Sequence, residues 1–199
     1  MTILNQFLFL IITYAVSAIP FGLVLVKIFA HKDIRQYGSK NIGATNVTRV
    51  AGKKLGFATL ILDGIKGAAM VIIARFSFYD IENLHLFLVM VSGVAVVGHI
   101  YPIYLNFKGG KGVATAMATM FALDPTIGFL MVCFWILSFC LFRISAVSSL
   151  VAIFSSIILS STYEAPTSQF VFCCLLFLLV LYRHKENIVR IFTGEEKKF

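Results

Sequence analysis

Charge is what this 199-residue sequence has least of, with charged residues making up only 13% of it. A soluble domain draws about a quarter of its residues from Asp, Glu, Lys and Arg. Too little polar surface is therefore present to cover a water-soluble globule, and lipid is expected to be the solvent for most of the chain. Acidic residues are fewer still, nine against seventeen Lys and Arg, for a formal net charge of +8. That surplus does not point to nucleic acid, because no basic stripe with interleaved aromatics is present and the cations gather in short loops beside apolar runs. The four cysteines, Cys133, Cys140, Cys173 and Cys174, form no CxxC pair and have no His close in sequence, so they read as packing residues inside apolar stretches. There is no Walker A spacing, which argues against a nucleotide hydrolase, and no evident Ser-His-Asp or Cys-His set, which argues against a covalent nucleophile. No metal and no cofactor are expected.

What the chain has in abundance is apolar sequence, 59% of its residues, with a mean hydropathy of +0.93. Residues 7–26 run uncharged for long enough to make roughly 30 Å of helix. No basic n-region precedes them, so a retained span is expected rather than a signal peptide. Pro20 and Gly22 predict a kink near its end. Further spans are expected at residues 55–74, 86–105, 113–123, 126–142, 145–161 and 170–182, the fourth of them short. Residues 1–199 thus read as a single all-α polytopic membrane domain with seven transmembrane helices. Within the second span, Asp63 and Lys66 lie one helical turn apart on one face. They are either a structural ion pair or a pair of which one member faces a ligand cavity.

The basic residues support that count. With seven crossings, Lys27, Lys32, Arg35, Lys40, Arg49, Lys53, Lys54, Lys108, Lys111, Arg143, Arg183, Lys185, Arg190, Lys197 and Lys198 share one side, fifteen of the seventeen. By the positive-inside rule that side is the cytoplasm, which puts the N-terminus outside and the C-terminus inside.

Three polar stretches then fall on the cytoplasmic side. Residues 38–49 (GSKNIGATNVTR) read as a polar loop with hydroxyl donors from Ser39, Thr45 and Thr48, amides from Asn41 and Asn46, and charge from Lys40 and Arg49. Gly38 and Gly43 allow its backbone N–H groups to turn inward as an anion nest. Residues 107–115 (FKGGKGVAT) lead from a glycine-rich turn straight into a helix. There Lys108, Lys111, the N–H groups around Gly109 and Gly110 and the positive helix end are expected to converge on a second anion. Residues 183–195 carry His184 and Asn187 on one helical face after the last span. His99, at the end of the third span, falls beside Lys108 and Lys111 and reads either as an interior hydrogen-bonded residue or as a ligand-orienting one.

At these residues the chain resembles the bacterial acyl-phosphate:glycerol-3-phosphate acyltransferase family. The motifs that carry the resemblance are GSKNIGATNVTR, LDGIKG of the second span, GHIYPIYLNFKGGKGVAT and RHKENIVRIFTGEE, and together they cover essentially the whole chain. The resemblance implies a seven-span enzyme of the inner membrane, its site facing the cytoplasm. Such an enzyme moves a fatty acyl group from acyl phosphate to glycerol 3-phosphate, giving lysophosphatidic acid for phospholipid synthesis. Expected catalytic residues are His184, Lys111, Ser39 and Asn187. The substrate phosphates are expected at Ser39, Asn41, Thr45, Asn46, Arg49, Lys108, Gly109, Gly110, Lys111, His99 and Lys66. Acyl phosphate, glycerol 3-phosphate and membrane lipid are the implied partners, with the soluble enzyme that makes acyl phosphate a further candidate. The proton of the attacking hydroxyl has three possible acceptors at this stage: the departing phosphate, His184 or His99. A carrier of a phosphorylated metabolite is the alternative, since it too needs cations on a helical bundle.

Overall fold

Polar caps punctuate the apolar runs, and a computed structural model, which describes residues 2–199, shows ten α-helices and no strand among them. In order they are α1 (Ile3–Ser17), α2 (Phe21–Phe29), α3 (Ala44–Ala51), α4 (Lys53–Ser77), α5 (Leu84–Ile100), α6 (Val113–Leu123), α7 (Pro125–Phe142), α8 (Ser145–Thr162), α9 (Thr167–Arg183) and α10 (Lys185–Phe192). The protein is an all-helical integral membrane protein.

Five segments are long and apolar enough to cross a bilayer: Ile3–Phe29, Lys53–Ser77, Leu84–Leu105, Pro125–Phe142 and Ser145–Thr162. A sixth arises if α9 and α10, which meet at 61°, are taken as one span. Against the expected seven, α6 matches its expected bounds but has only 11 residues. It is a short helix because both ends are stopped chemically. Gly112 precedes it at a φ of 85°, a conformation open to glycine. At the other end Arg75 Nη2 donates to Ala122 O at 2.8 Å and Leu123 O at 2.9 Å, satisfying carbonyls that a helix end leaves orphaned. Asp124 then starts α7, its carboxylate accepting from Ile127 N at 3.1 Å, with Pro125 at the first helical position.

The stretch at residues 38–49, expected as a loop throughout, differs in its second half, which is helix α3. Val47 and Val50 fall three apart in an otherwise polar segment. They give it an apolar side that packs with Val26, Ile34 and Ile42 in a small core of its own. The main core lies along α4, α5, α6 and α9, where Val71, Val91, Ile100, Met120 and Val180 are wholly buried.

Asp63 and Lys66 are both buried, their groups 2.9 Å apart. Lys66 Nζ also donates to Ile19 O at 2.7 Å, at the interruption between α1 and α2 where Pro20 breaks the ladder. Thr115 Oγ1 donates to Asp63 O at 2.8 Å, which ties α6 to the same turn of α4. The geometry joins the two readings of this pair: Lys66 is structural, while Asp63 also reaches the wall of a cavity. The Lys66 ammonium is engaged by a carboxylate and a carbonyl, and Lys66 does not line the cavity described next.

Candidate active site

The three polar stretches, far apart in sequence, meet at one end of a cavity of about 580 Å³. Its polar end is lined by Ser39, Asn41, Thr45, Asn46 and Arg49 from the first stretch, Lys111 from the second, and His184, Asn187 and Glu196 from the third. His99 and Asp63 also reach its wall. The remainder is an apolar groove, walled by Leu60, Ile61, Ile65 and Ala68 of α4, Met117, Ala118 and Phe121 of α6, and Val132, Trp135 and Ile136 of α7. Ile61, Ile65, Phe121 and Ile136 are exposed on the outer surface along this groove. From Val113 to Phe121 it follows α6 for roughly 12 Å at the helical rise.

Local chemistry explains how each residue is held. Asn46 is 1% exposed and its amide is spent on the backbone. Its Oδ1 accepts from Ser39 N at 2.9 Å, and its Nδ2 donates to Tyr37 O at 3.0 Å and Asn41 O at 2.8 Å. Asn41 Oδ1 accepts from Gly43 N at 2.8 Å. These two amides shape the loop that presents Ser39. The Thr45 hydroxyl pairs with that of Ser145 at 2.9 Å, Ser149 Oγ donates to Ser145 O at 2.7 Å, and Trp135 Nε1 donates to Ser149 Oγ at 3.3 Å. A polar ladder therefore runs from α3 through α8 to the mouth of the groove.

The glycine-rich turn works differently from its expectation. Gly109 N donates to Ile100 O at 3.1 Å and Gly110 N to His99 O at 3.2 Å, so neither N–H is free for an anion. Both residues are buried and neither lines the cavity. Their carbonyls each accept from Arg183 Nη2 at 3.2 Å. A Cβ at Gly110 would lie 2.0 Å from His99 Nε2, so only glycine lets the turn pass over the imidazole. The turn's task is to lock Lys111 against α5. Lys108 is exposed and does not line the cavity, and Lys66 is the ion-paired residue described above. Of the expected phosphate ligands, Lys108, Gly109, Gly110 and Lys66 thus fall outside the cavity lining.

Lys111 Nζ donates to Asn187 Oδ1, whose Nδ2 donates to Glu196 Oε1 at 2.9 Å, while Arg190 Nε donates to Glu196 Oε2 at 2.8 Å. Burial lowers the Lys111 pKa to about 8, with Glu196 opposing the shift. His184 Nδ1 lies 2.8 Å from Val180 O, and because a carbonyl only accepts, Nδ1 carries the proton and Nε2 is the acceptor. Burial, then the charge of Lys111, press the His184 pKa down to about 4, so the ring is neutral at physiological pH. His99 Nδ1 is 3.6 Å from Asp63 Oδ1, too long for a hydrogen bond.

Four wall residues that carry polar groups escaped the sequence reading as site residues: Ser145, Ser149, Trp135 and Glu196. Only Glu196 carried a signal, because it closes the RHKENIVRIFTGEE motif, where it is one of three acids.

The family model described as "Glycerol-3-phosphate acyltransferase" matches residues 7–194. Among curated relatives, the glycerol-3-phosphate acyltransferase of Sulfurimonas denitrificans is 41% identical over 197 residues, covering 96% of this chain and 94% of the relative. That of Ehrlichia canis is 40% identical over 189 residues, covering 95% and 96%. The crystal structure of PlsY (YgiH), an integral membrane glycerol 3-phosphate acyltransferase in its glycerol 3-phosphate form, superposes with a TM-score of 0.91 at 36% identity, covering 98% of this chain and 96% of that one. Its lysophosphatidic acid form gives 0.88 at 35% identity, covering 98% and 95%. With its motifs gathered on one cavity, its fold matched and its sequence aligned almost end to end, the chain belongs to the glycerol-3-phosphate acyltransferase family.

Proposed function

We propose that the cavity is where glycerol 3-phosphate receives an acyl group from acyl phosphate. As a member of its family the chain is a glycerol-3-phosphate acyltransferase, and its product is lysophosphatidic acid. Membership decides against the carrier alternative. The observation that carries the site assignment is the continuity of a cationic, hydrogen-bonding pocket with an apolar groove exposed along its edge. A water-soluble phosphate ester fits the first, and the tail of a membrane-dissolved donor fits the second.

Lys111 and Arg49 supply charge for the phosphates, with Ser39 and Thr45 adding hydroxyls and the first-turn N–H groups of α6 the positive end of a helix. Asn41 and Asn46 act on the substrate through the loop they shape. The hydroxyl oxygen of glycerol 3-phosphate attacks the acyl carbonyl carbon, the bond from that carbon to the phosphate oxygen breaks, and inorganic phosphate departs. Even a phosphate monoester takes its second proton at a pKa of roughly 6, and free phosphate is more basic, whereas His184 sits near 4. The departing phosphate is therefore the stronger base, and the proton leaves with it. His184 Nε2 accepts a hydrogen bond from the hydroxyl and aims it. A mixed anhydride is activated already, so no acyl-enzyme is required. Detergent-purified protein supplied with palmitoyl phosphate and glycerol 3-phosphate should form lysophosphatidic acid. Failure to do so, with folded protein in hand, would refute the donor assignment.

Because the Lys111 pKa is lowered to about 8, its charge is complete well below that pH and lost as pH rises through it. The expected result is a kcat/KM for glycerol 3-phosphate that falls above about pH 8. Lys111→Arg, which stays charged, should abolish that fall whatever its effect on the plateau.

The cytoplasmic facing of the three stretches, seven crossings and residence in the inner membrane remain part of this proposal, supported by the one-sided placement of fifteen of the seventeen basic residues. A Lys53→Cys variant, in a background with Cys133, Cys140, Cys173 and Cys174 changed to Ala, should be shielded from an impermeant thiol reagent in intact cells. Labelling from outside would invert the topology. The cysteine-free background itself should keep most of its activity.

A further inference from the structure

Beyond α10 the chain turns at Gly194, where φ is 74°, and Glu195 N and Glu196 N donate to Arg190 O at 2.7 Å and 3.0 Å. Residues 197–199 then run back beside the polar end of the cavity, touching elements remote in sequence. Arg49 Nη2 donates to Lys197 O at 2.8 Å, and its guanidinium lies 4.6 Å from the centroid of the Phe199 ring. That ring is itself fixed: its edge meets Phe139 of α7 with centroids 5.7 Å apart, and Phe199 N donates to Arg143 O at 2.9 Å in the turn between α7 and α8. Arg49 reaches the cavity wall, yet among the described residues no carboxylate forms an ion pair with it within 4.0 Å. A ring beneath its face and one carbonyl on one Nη2 hydrogen hold the guanidinium without neutralising it.

We propose that residues 197–199 form a strap whose task is to position Arg49 for the phosphate of glycerol 3-phosphate, with Phe199 the positioning residue. The proposal deepens the acyltransferase reading and rests on it. A guanidinium on a flexible stem loses side-chain freedom when it grips an anion; one already clamped from two sides has lost that freedom in advance. A phosphate on a fixed guanidinium is held by charge-assisted hydrogen bonds. Face-on contact with an aromatic ring leaves the charge intact and the in-plane N–H groups directed outward. Phe199 meets Arg49, Phe139 and the backbone of Arg143, and does not itself line the cavity, so its effect should appear in one substrate's affinity rather than in turnover.

The test is steady-state kinetics on the full-length protein in detergent. Phe199→Ala should raise the KM for glycerol 3-phosphate by about 5-fold to 20-fold, with kcat and the KM for acyl phosphate changed less than about 2-fold. Phe199→Trp, which keeps a ring under the guanidinium, should restore most of the affinity. In an Arg49→Lys background, where no planar cation remains to be stacked, Phe199→Ala should add little, giving a non-additive cycle. An unchanged or lowered KM in Phe199→Ala would overturn the strap, as would an equal rise in both backgrounds or a loss confined to kcat. A wild-type protein unable to acylate glycerol 3-phosphate would instead overturn the functional reading beneath it.

Discussion

Lys66→Met is expected to destabilise the folded protein by about 3–5 kcal/mol, enough to collapse the yield of monodisperse protein. The ammonium it removes is buried beside Asp63 at 2.9 Å and donates to Ile19 O at 2.7 Å. Without it a carboxylate is left uncompensated in the interior, and the carbonyl at the break between α1 and α2 loses its donor. The double variant Asp63→Asn with Lys66→Met should recover part of the loss, because the stranded charge is gone. Thermal unfolding in one detergent measures all three proteins. A Lys66→Met protein as stable as wild type would mean that the pair does not hold the broken first span to α4.

Lys111→Met is expected to lower kcat/KM for glycerol 3-phosphate by about 10-fold to 150-fold, the equivalent of roughly 1.5 to 3 kcal/mol for a charge-assisted hydrogen bond. Three things concentrate the effect at this lysine: it lines the cavity, it is pinned by Asn187, and the turn behind it is locked by Gly109 and Gly110 to the end of α5. Lys54→Met, made at an exposed site at the start of α4, should change the same quantity by less than about threefold. The two substitutions differ only in place. Equal effects would remove Lys111 from the site.

Lys66 is buried and Lys111 half-buried, and the two are opposite in use. At Lys66 a carboxylate and a carbonyl take the ammonium and the centroid of the Phe21 ring lies 5.7 Å from it, so the charge is structural. At Lys111 one acceptor, Asn187, holds the stem while the cavity remains on the other side. No local feature of the sequence distinguishes these cases, since both residues follow glycine-containing turns of helix or loop within apolar surroundings.

The membrane class, the helical content and the order of the apolar segments were determined by sequence alone, because they depend on composition and on local periodicity. The boundaries of α6 are a case in point: glycine before it and Asp124-Pro125 after it stop a helix wherever it is placed. The gathering of the three polar stretches was legible too, since all three share one charge and one side. What only the tertiary structure decided is which donors remain free. Gly109 and Gly110 were expected to offer N–H groups to an anion, but carbonyls of α5 had already claimed them. Asn46 was expected on a phosphate and serves the backbone, and Lys66 was expected there and clamps α1. Ser145 and Ser149 joined the wall from a segment with no motif of its own, and Glu196 from the end of a motif in which it had been given no role. A hydrogen bond is satisfied by whichever partner folding brings within about 3 Å, and here those partners lie up to 148 residues away in the chain, beyond the reach of any local pattern.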